Sequence, residues 1–386
     1  MANHRTFLQV RLIVLLSFLA GIHAEEFAGR FLQKALQFSR QDNVIVSPFS
    51  VREALAQVYV GVKGNAADEL HRELHLTGHS KREAVEEFRR FHEISSPGGG
   101  ATLKIANRIF VAHRFPLLPK YKDLVRKSFR TRTENINFEK KELAASRINK
   151  WISRRTENFI KDIVQAESLD DDLKLMVINA IYFHGKWKTP FNPENTRKNN
   201  FFIPGEGAVK VDMMHSHLNL LHGRIDALDA NAVELPYINS NISMMVILPN
   251  RLNGLPEVEK LLHEVNLITL TYGFRKWNID LALPKFKFEF ELNLNQPLKD
   301  MGIREIFRDP DFSDLTNSEE NLLVSKVIQK AVIEVNEEGS KAAAVTVVEI
   351  AALSAWRPSF IVNRPFIFVI KDQQRVYFVG RVSRLN

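Results

Sequence analysis

The chain has 386 residues, 45% of them hydrophobic, with 27 phenylalanines, no cysteine and a formal net charge of +8. That length buries a sizeable core without disulfides, and the lack of cysteine excludes both a disulfide scaffold and a cysteine nucleophile. The excess of 53 basic over 45 acidic side chains is too small and too dispersed to mark a nucleic-acid binder, and no aromatic pattern supports one.

The N-terminus reads as a secretory signal over residues 1–24. Arg5 and Arg11 precede or open an apolar run from Leu12 to Ala20, and Ala24 suits the last position before cleavage. The run is too short to span a bilayer comfortably, and no later segment is long and apolar enough to do so, which predicts no membrane partner. A secreted, extracellular domain over residues 25–386 is expected. Helical spacing at Phe27, Phe31, Leu32, Ala35 and Leu36 opens it. Ser50 is placed as the cap of a helix from Val51 to Val60, and Asn65 as the cap of one from Ala66 to Leu74. Lys81 to Ile94 reads as a single helix, ended by Ser95-Ser96-Pro97-Gly98-Gly99-Gly100. Leu103, Ile105, Ile109 and Val111 alternate like a strand, and Glu139 to Asn158 reads as a long helix. Leu173 to Phe183 is apolar enough for a strand buried on both faces. Strands follow at Ala232–Pro236, Ser243–Leu248, Ile279–Leu283 and Lys285–Phe290, then a helix from Leu292 to Gly302, then strands at Val327–Val335, Pro365–Ile370 and Val376–Val382. Helices first and strands later, with no repeat and no linker, argue for one α+β domain.

Catalytic constellations are missing. His71-Arg72-Glu73-Leu74-His75 puts two histidines on one helix face, but a zincin needs glutamate directly after the first, and here Glu73 stands one place too late. An ordinary helix end is the better reading, and no metal and no cofactor are expected. His215 and His217 share one face of an extended segment without further ligands. No Gly-x-Ser-x-Gly elbow and no phosphate-binding glycine loop occurs. Asn241-Ile242-Ser243 is an N-glycosylation sequon beside a turn-like stretch, so Asn241 is a candidate acceptor. Lys122, Arg126 and Arg130 form one basic stripe and Arg147, Lys150 and Arg154 another, read either as solvated faces or as weak sites for sulphated polysaccharide. Asn43, Ser47, Ser50 and Asn179 are polar residues in apolar surroundings, hence hydrogen-bonded core groups or caps.

The densest information lies in Glu337 to Ser354. Gly339 gives backbone freedom at its start. Read with period two, Ser340, Ala342, Ala344, Thr346, Val348 and Ile350 share one face. Lys341, Ala343, Val345, Val347, Glu349 and Ala351 share the other, which carries both charges. That is the pattern of a strand with one buried face. The run of small residues after a glycine equally suits an exposed loop, and a segment fit for both states suggests a switch.

Glu337-Glu338-Gly339-Ser340-Lys341-Ala342-Ala343-Ala344-Val345-Thr346 resembles the hinge of the reactive-centre loop of inhibitory serpins. Blocks in matching order accompany it: Asn43-Val44-Ile45-Val46-Ser47-Pro48-Phe49-Ser50, Asn179 to Trp187, Glu234-Leu235-Pro236-Tyr237, Leu283-Pro284-Lys285-Phe286, Val324 to Ala331, Asn363-Arg364-Pro365-Phe366 and Phe378 to Val382. From about residue 26 to the C-terminus the chain is similar to arthropod serpins. The resemblance implies one domain of three β-sheets with eight or nine helices and an exposed reactive-centre loop. It implies a monomeric inhibitor and not an enzyme, whose partner is an extracellular serine protease held as a covalent acyl complex. The family's spacing from Gly339 implies a reactive bond at Leu353–Ser354, apolar bait for a chymotrypsin-like or elastase-like pocket, with Arg357 as a rival four residues on. Glu337, Glu338, Gly339, Ser340, Ala342, Ala343, Ala344 and Thr346 would be the hinge. Lys341 and Val345 depart from the commonest hinge pattern, both on the outward face. Asn43, Ser47, Ser50, Asn179 and Gln329 match the positions of the family's shutter, with Gln329 where many members carry histidine, and Trp187 matches the tryptophan of the breach. The helix that carries heparin in activated members corresponds to Lys81–Ile94, where Glu83, Glu86, Glu87 and Glu93 offset the cations. A non-inhibitory serpin with a carrier, chaperone or storage role is the alternative.

Overall fold

Local spacing and capping chemistry account for only part of how the early helices begin. The first, α1, spans residues 26–37 and buries Phe27, Phe31, Leu32 and Ala35 as their spacing predicts. A short strand β1 (Val44–Val46) leads into α2 (Pro48–Tyr59). Proline needs no N–H in the first turn, so α2 starts at Pro48 and its cap is Ser47, whose Oγ accepts from the Ser50 N–H at 3.4 Å. The cap assigned to Ser50 is thereby corrected. Likewise α3 (Gly64–Glu73) starts before Asn65, with Lys63 at a cap position that makes no side-chain bond. The helix expected over Lys81–Ile94 is two, α4 (Lys81–Ala84) and α5 (Glu86–Ile94), broken where the fully buried Val85 takes φ −99° and ψ 5°.

The chain continues through β2 (Ala101–Ala112), α6 (Pro119–Phe129), β3 (Glu134–Ile136), α7 (Lys141–Arg155) and β4 (Leu175–Gly185). Then come β5 (Arg197–Ile203), β6 (Gly207–Ile225), β7 (Ala230–Pro236), β8 (Ser243–Pro249), α8 (Leu255–Leu261), β9 (Arg275–Pro284), β10 (Phe286–Asn293) and α9 (Asn295–Asp300). The last strands are β11 (Val324–Val335), β12 (Ser359–Ile361), β13 (Phe366–Lys371) and β14 (Val376–Val382). These elements come from a computed structural model that describes residues 26–39, 43–94, 101–338 and 357–385. The expected signal, residues 1–24, lies outside the described residues.

Among the described residues, two hydrogen-bonded sheets result. One has five strands in the order β10-β11-β4-β2-β3, and in it β4 and β11 run parallel while β10/β11 and β2/β4 are antiparallel. The other has nine, β1-β14-β13-β8-β7-β6-β9-β12, with β5 also on β6. The fold is mixed α+β, as expected. The three sheets anticipated are recognisable because β6 is long: it pairs with β5 at Gly207–Met213, with β9 at Met213–His222 and with β7 at Leu221–Ile225. It so welds two strand groups into one hydrogen-bonded system. Neither β5 nor β6 stood out in the sequence, since their buried positions alternate irregularly with histidine, asparagine and lysine.

The core lies between the two sheets. Phe183 of β4 meets Phe378 of β14 at 5.8 Å between ring centres, and Phe286 of β10 meets Phe366 and Phe368 of β13 at 5.9 and 5.8 Å. Gly380 sits in β14 between β1 and β13, where a Cβ would lie 2.5 Å from the Val44 carbonyl oxygen and 2.6 Å from the Phe368 ring. Gly380→Ala therefore overpacks a rigid layer and is expected to cost about 1–3 kcal/mol. Calorimetry should show a lowered melting temperature, and an unchanged one would refute the close approach.

Candidate functional site

In the register of the five-stranded sheet, Gln329 of β11 is opposite Asn179 of β4, which is opposite Asn107 of β2. The three amides thus line up across the sheet. All are buried, so each must find partners inside the protein. Gln329 Nε2 donates to Asn179 Oδ1 at 2.5 Å, and Asn179 Nδ2 donates to Asn107 Oδ1 and to Ser50 Oγ. Underneath lies the N-terminal end of α2. Ser50 Oγ donates to Asn107 Oδ1 at 3.2 Å, the Ser47 N–H donates to Gln329 Oε1 at 3.1 Å, and Ser47 Oγ donates to the Tyr377 carbonyl at 2.6 Å. Gln329, standing in for the histidine common at that position, serves as donor and acceptor at once.

Ser47, Ser50, Asn179 and Gln329 are therefore brought together. Asn43 is not among them. Its side chain holds the far end of the chain, donating to the Arg384 carbonyl at 2.8 Å and accepting from the Ser383 and Arg384 N–H groups at 2.9 and 3.1 Å. Sequence reasoning missed Asn107, Glu53 and His92, which extend the cluster. Asn107 had a visible signal: it is the polar member of the alternating series Leu103, Ile105, Ile109 and Val111. Glu53 stands three residues after Ser50, on the same face of α2.

A second set gathers where β4 and β11 end. Trp187 follows β4, stacks on Tyr237 with ring centres 4.7 Å apart, and donates from Nε1 to the Asn336 carbonyl at 2.9 Å. The Phe191 N–H donates to the Glu337 carbonyl at 2.9 Å. The Glu337 carboxylate takes Lys285 Nζ at 2.8 and 2.9 Å and Thr196 Oγ1 at 2.8 Å. Burial opposes its charge, but the bonds from Lys285, the backbone and Thr196 outweigh that and hold its carboxyl below the ordinary range. Glu338 follows, exposed. Gly339, Ser340, Ala342, Ala343, Ala344, Thr346, Leu353 and Ser354 lie outside the described residues. The chain resumes at an exposed Arg357 and is pinned at once: the Asp280 N–H donates to the Pro358 carbonyl at 3.1 Å, and β12 pairs with β9.

The remaining candidates are scattered. His71 Nε2 is 3.2 Å from the Gly78 carbonyl, His217 is 2.5 Å from Asp280, and His215 turns to Asn199. Asn241 is exposed between β7 and β8. Much of the basic charge is paired locally: Arg126 and Lys127 with Asp123, Arg147 with Glu134, and Arg89 with Glu86 and Glu93. Arg89 and Arg90 hold the Glu86 carboxyl down at about 2, the hydrogen bond from Arg89 contributing most.

Comparison with known proteins gives one family. Residues 23–385 match the family model described as serpin (serine protease inhibitor). The chain is 35% identical over 342 residues to serine protease inhibitor 42Dd of Drosophila melanogaster, covering 88% of this chain and 91% of that protein. Among solved structures it resembles Serpin48 of the insect Tenebrio molitor, described as a highly specific serpin, at 30% identity and a TM-score of 0.87 over 95% of this chain and 98% of the other. It also resembles native protease nexin-1 solved with heparin, at 26% identity and a TM-score of 0.84 over 95% of this chain and 100% of the other.

The Glu337 clamp makes a pH-dependent prediction. A carboxyl whose pKa is lowered by the fold stabilises above its ordinary value of 4.5 and ceases to do so as pH falls through the lowered one. With Trp187 left as the sole tryptophan of the four in the chain, its fluorescence is expected to report the loss below that range. Lys285→Met should move the midpoint upward, since burial then acts unopposed by the ammonium. A midpoint that does not move would mean that Lys285 does not hold Glu337.

Proposed function

The chain belongs to the serpin family, and from that premise we propose that it is a secreted, inhibitory member that traps a serine protease by inserting residues 340–353 between β4 and β11. One observation carries the reading. β4 and β11 are parallel neighbours, β10 already occupies the other edge of β11, and the chain leaves β11 directly into Glu337–Glu338. A segment that turns back on β11 runs antiparallel to it, and so antiparallel to β4 as well. The place open to it is the seam between the two. Insertion would replace one parallel ladder by two antiparallel ones, which are somewhat more stable per residue. The small residues Ser340, Ala342, Ala344 and Thr346 suit the buried face of such a strand.

In this mechanism the protease's serine Oγ attacks the Leu353 carbonyl carbon. The Leu353–Ser354 amide bond breaks, the new amine of Ser354 takes a proton and leaves, and Leu353 stays esterified to the protease. Its tether is then cut. About 14 residues inserted at ~3.3 Å each carry the acylated protease roughly 45 Å. The added ladder bonds, at ~0.5–1.5 kcal/mol net apiece, supply on the order of 10 kcal/mol, which distorts the protease before water releases it. Leu353, with Ala351 and Ala352 before it, suits a chymotrypsin-like or elastase-like pocket. Secretion follows from the signal-like residues 1–24, and glycosylation at Asn241 is consistent with its exposure. A monomer is proposed, with at most weak binding of sulphated polysaccharide, because so many of its arginines are already paired.

Incubation with a protease panel tests the reading. A denaturant-resistant complex with chymotrypsin-like or elastase-like enzymes is expected, with cleavage after Leu353 by mass spectrometry. Leu353→Arg should redirect the complex to trypsin-like enzymes, whose pocket carries a buried acid. Cleavage after Arg357 alone would displace the bait assignment, and cleavage without any complex would favour the carrier, chaperone or storage alternative.

The hinge is tested separately. Thr346→Arg places a charge on the face proposed to enter the core, where burial without a partner is costly. Insertion should slow, deacylation should win, and the number of inhibitor molecules consumed per protease should rise several-fold. Lys341→Glu, on the outward face, should leave that number near the wild-type value.

A further inference from the structure

We infer that Glu53, held in place by His92, is a positioning residue for the parting of β4 and β11: its buried charge anchors and polarises one end of a relay of three side-chain amides whose last bond joins those two strands. The inference rests on the insertion reading above and names what sets the strength of its latch.

The relay has one direction. Gln329 Nε2 donates to Asn179 Oδ1 at 2.5 Å, Asn179 Nδ2 donates to Asn107 Oδ1, and Asn107 Nδ2 donates to Glu53 Oε2 at 3.2 Å. An amide can turn over and exchange donor for acceptor, so three amides in a row do not fix their own orientation. A carboxylate removes the choice, because it only accepts. If Asn107 turned over, its oxygen would face Glu53 and its NH2 would face the NH2 of Asn179. Asn179 would then have to turn as well, and its NH2 would confront Gln329. The buried charge therefore sets Asn107 at one end of the relay, the Ser47 backbone sets Gln329 at the other by donating to its Oε1 at 3.1 Å and accepting from its Nε2 at 3.3 Å, and Asn179 is held in register between them. Asn107 Nδ2 also donates to the Ser50 carbonyl at 3.1 Å, which favours the same orientation.

Glu53 is 1% exposed, and a charge so deep needs its own partners. Asn107 supplies one. His92 of α5 supplies the other, its Nε2 lying 2.6 Å from Glu53 Oε1. His92 is half-buried, so the relay runs without a break from near the surface at α5 to the centre of the five-stranded sheet. A hydrogen bond to an ionised acceptor is stronger than a neutral one, and bonds in a chain polarise one another in the same sense. The charge on Glu53 thereby strengthens the Gln329–Asn179 bond, the side-chain bond that must break before a strand enters between β4 and β11.

The test reads sheet opening without any protease. A fluorescent synthetic peptide with the sequence of residues 340–353 is incubated with the uncleaved full chain, and its incorporation is followed by anisotropy. Wild type should take it up slowly. Glu53→Gln, close to isosteric but neutral and able to turn over, should take it up about five-fold faster, the difference between a charge-assisted and a neutral bond. In a Gln329→Met background, which removes the last link, Glu53→Gln should add less than about two-fold. A role confined to local packing around α2 predicts the same acceleration in both backgrounds, and that result overturns the inference while leaving the inhibitor reading intact. No acceleration in a folded Glu53→Gln protein overturns it too. If Glu53→Gln does not fold, Asn107→Leu cuts the relay at its middle and carries the same cycle. A wild-type chain that takes no peptide and forms no complex with any protease in the panel removes the inhibitor reading and this inference together.

Discussion

Two strands that belong to distant parts of the chain lie side by side and parallel, and the rest of the molecule is arranged around that seam. Parallel neighbours cannot be joined by a tight turn, so β4 and β11 are connected through most of the second sheet. With β10 and β2 taking their outer edges, the seam between them is where the five-stranded sheet can widen without losing an outer partner. Both strands present apolar faces to the core, where Phe183 of β4 packs on the ring of Phe378.

The seam is held by different physics at its two places of attachment. At the centre the holding is dipolar and dry: amides, two serine hydroxyls and one carboxylate, all buried, none able to exchange a partner for water without the sheet opening. At the end, Trp187 Nε1 and the Phe191 N–H bind the Asn336 and Glu337 carbonyls, while an ion pair nearer to solvent, Glu337 with Lys285, ties the end of β11 to the junction of β9 and β10. In the proposed insertion, a strand entering after Glu338 would meet the second set first. The stacked pair Trp187 and Tyr237 ties this entry to the second sheet through the Lys188 N–H, which donates to the Pro236 carbonyl at 2.9 Å.

A chain without cysteine holds these layers together without disulfides. Buried phenylalanines do much of that, meeting between the sheets in edge-to-face contacts such as Phe286 on Phe366. Glycines enter where even a methyl group is too large, as at Gly380.

The alternation of residues 340–351, the apolar run of β4, the helical spacing of α1 and the ordered blocks shared with the serpin family are all properties of adjacent residues. They could be read from the sequence because local periodicity and local composition produce them. Local signals also existed for some of what was missed, as with Asn107 inside an apolar alternation. Other features had none. Gln329 and Asn179 are 150 residues apart, and nothing near either one specifies the register that pairs them. The start of α2 at Pro48, the break at Val85, the union of two strand groups through β6 and the diversion of Asn43 to the C-terminal segment were likewise decided by what packs against them. The sequence by itself determined the character of those locally patterned segments, such as α1, β2 and β4. The tertiary structure alone decided which strands meet, because register is chosen by the fit of whole faces, and that fit exists only once distant segments are in contact.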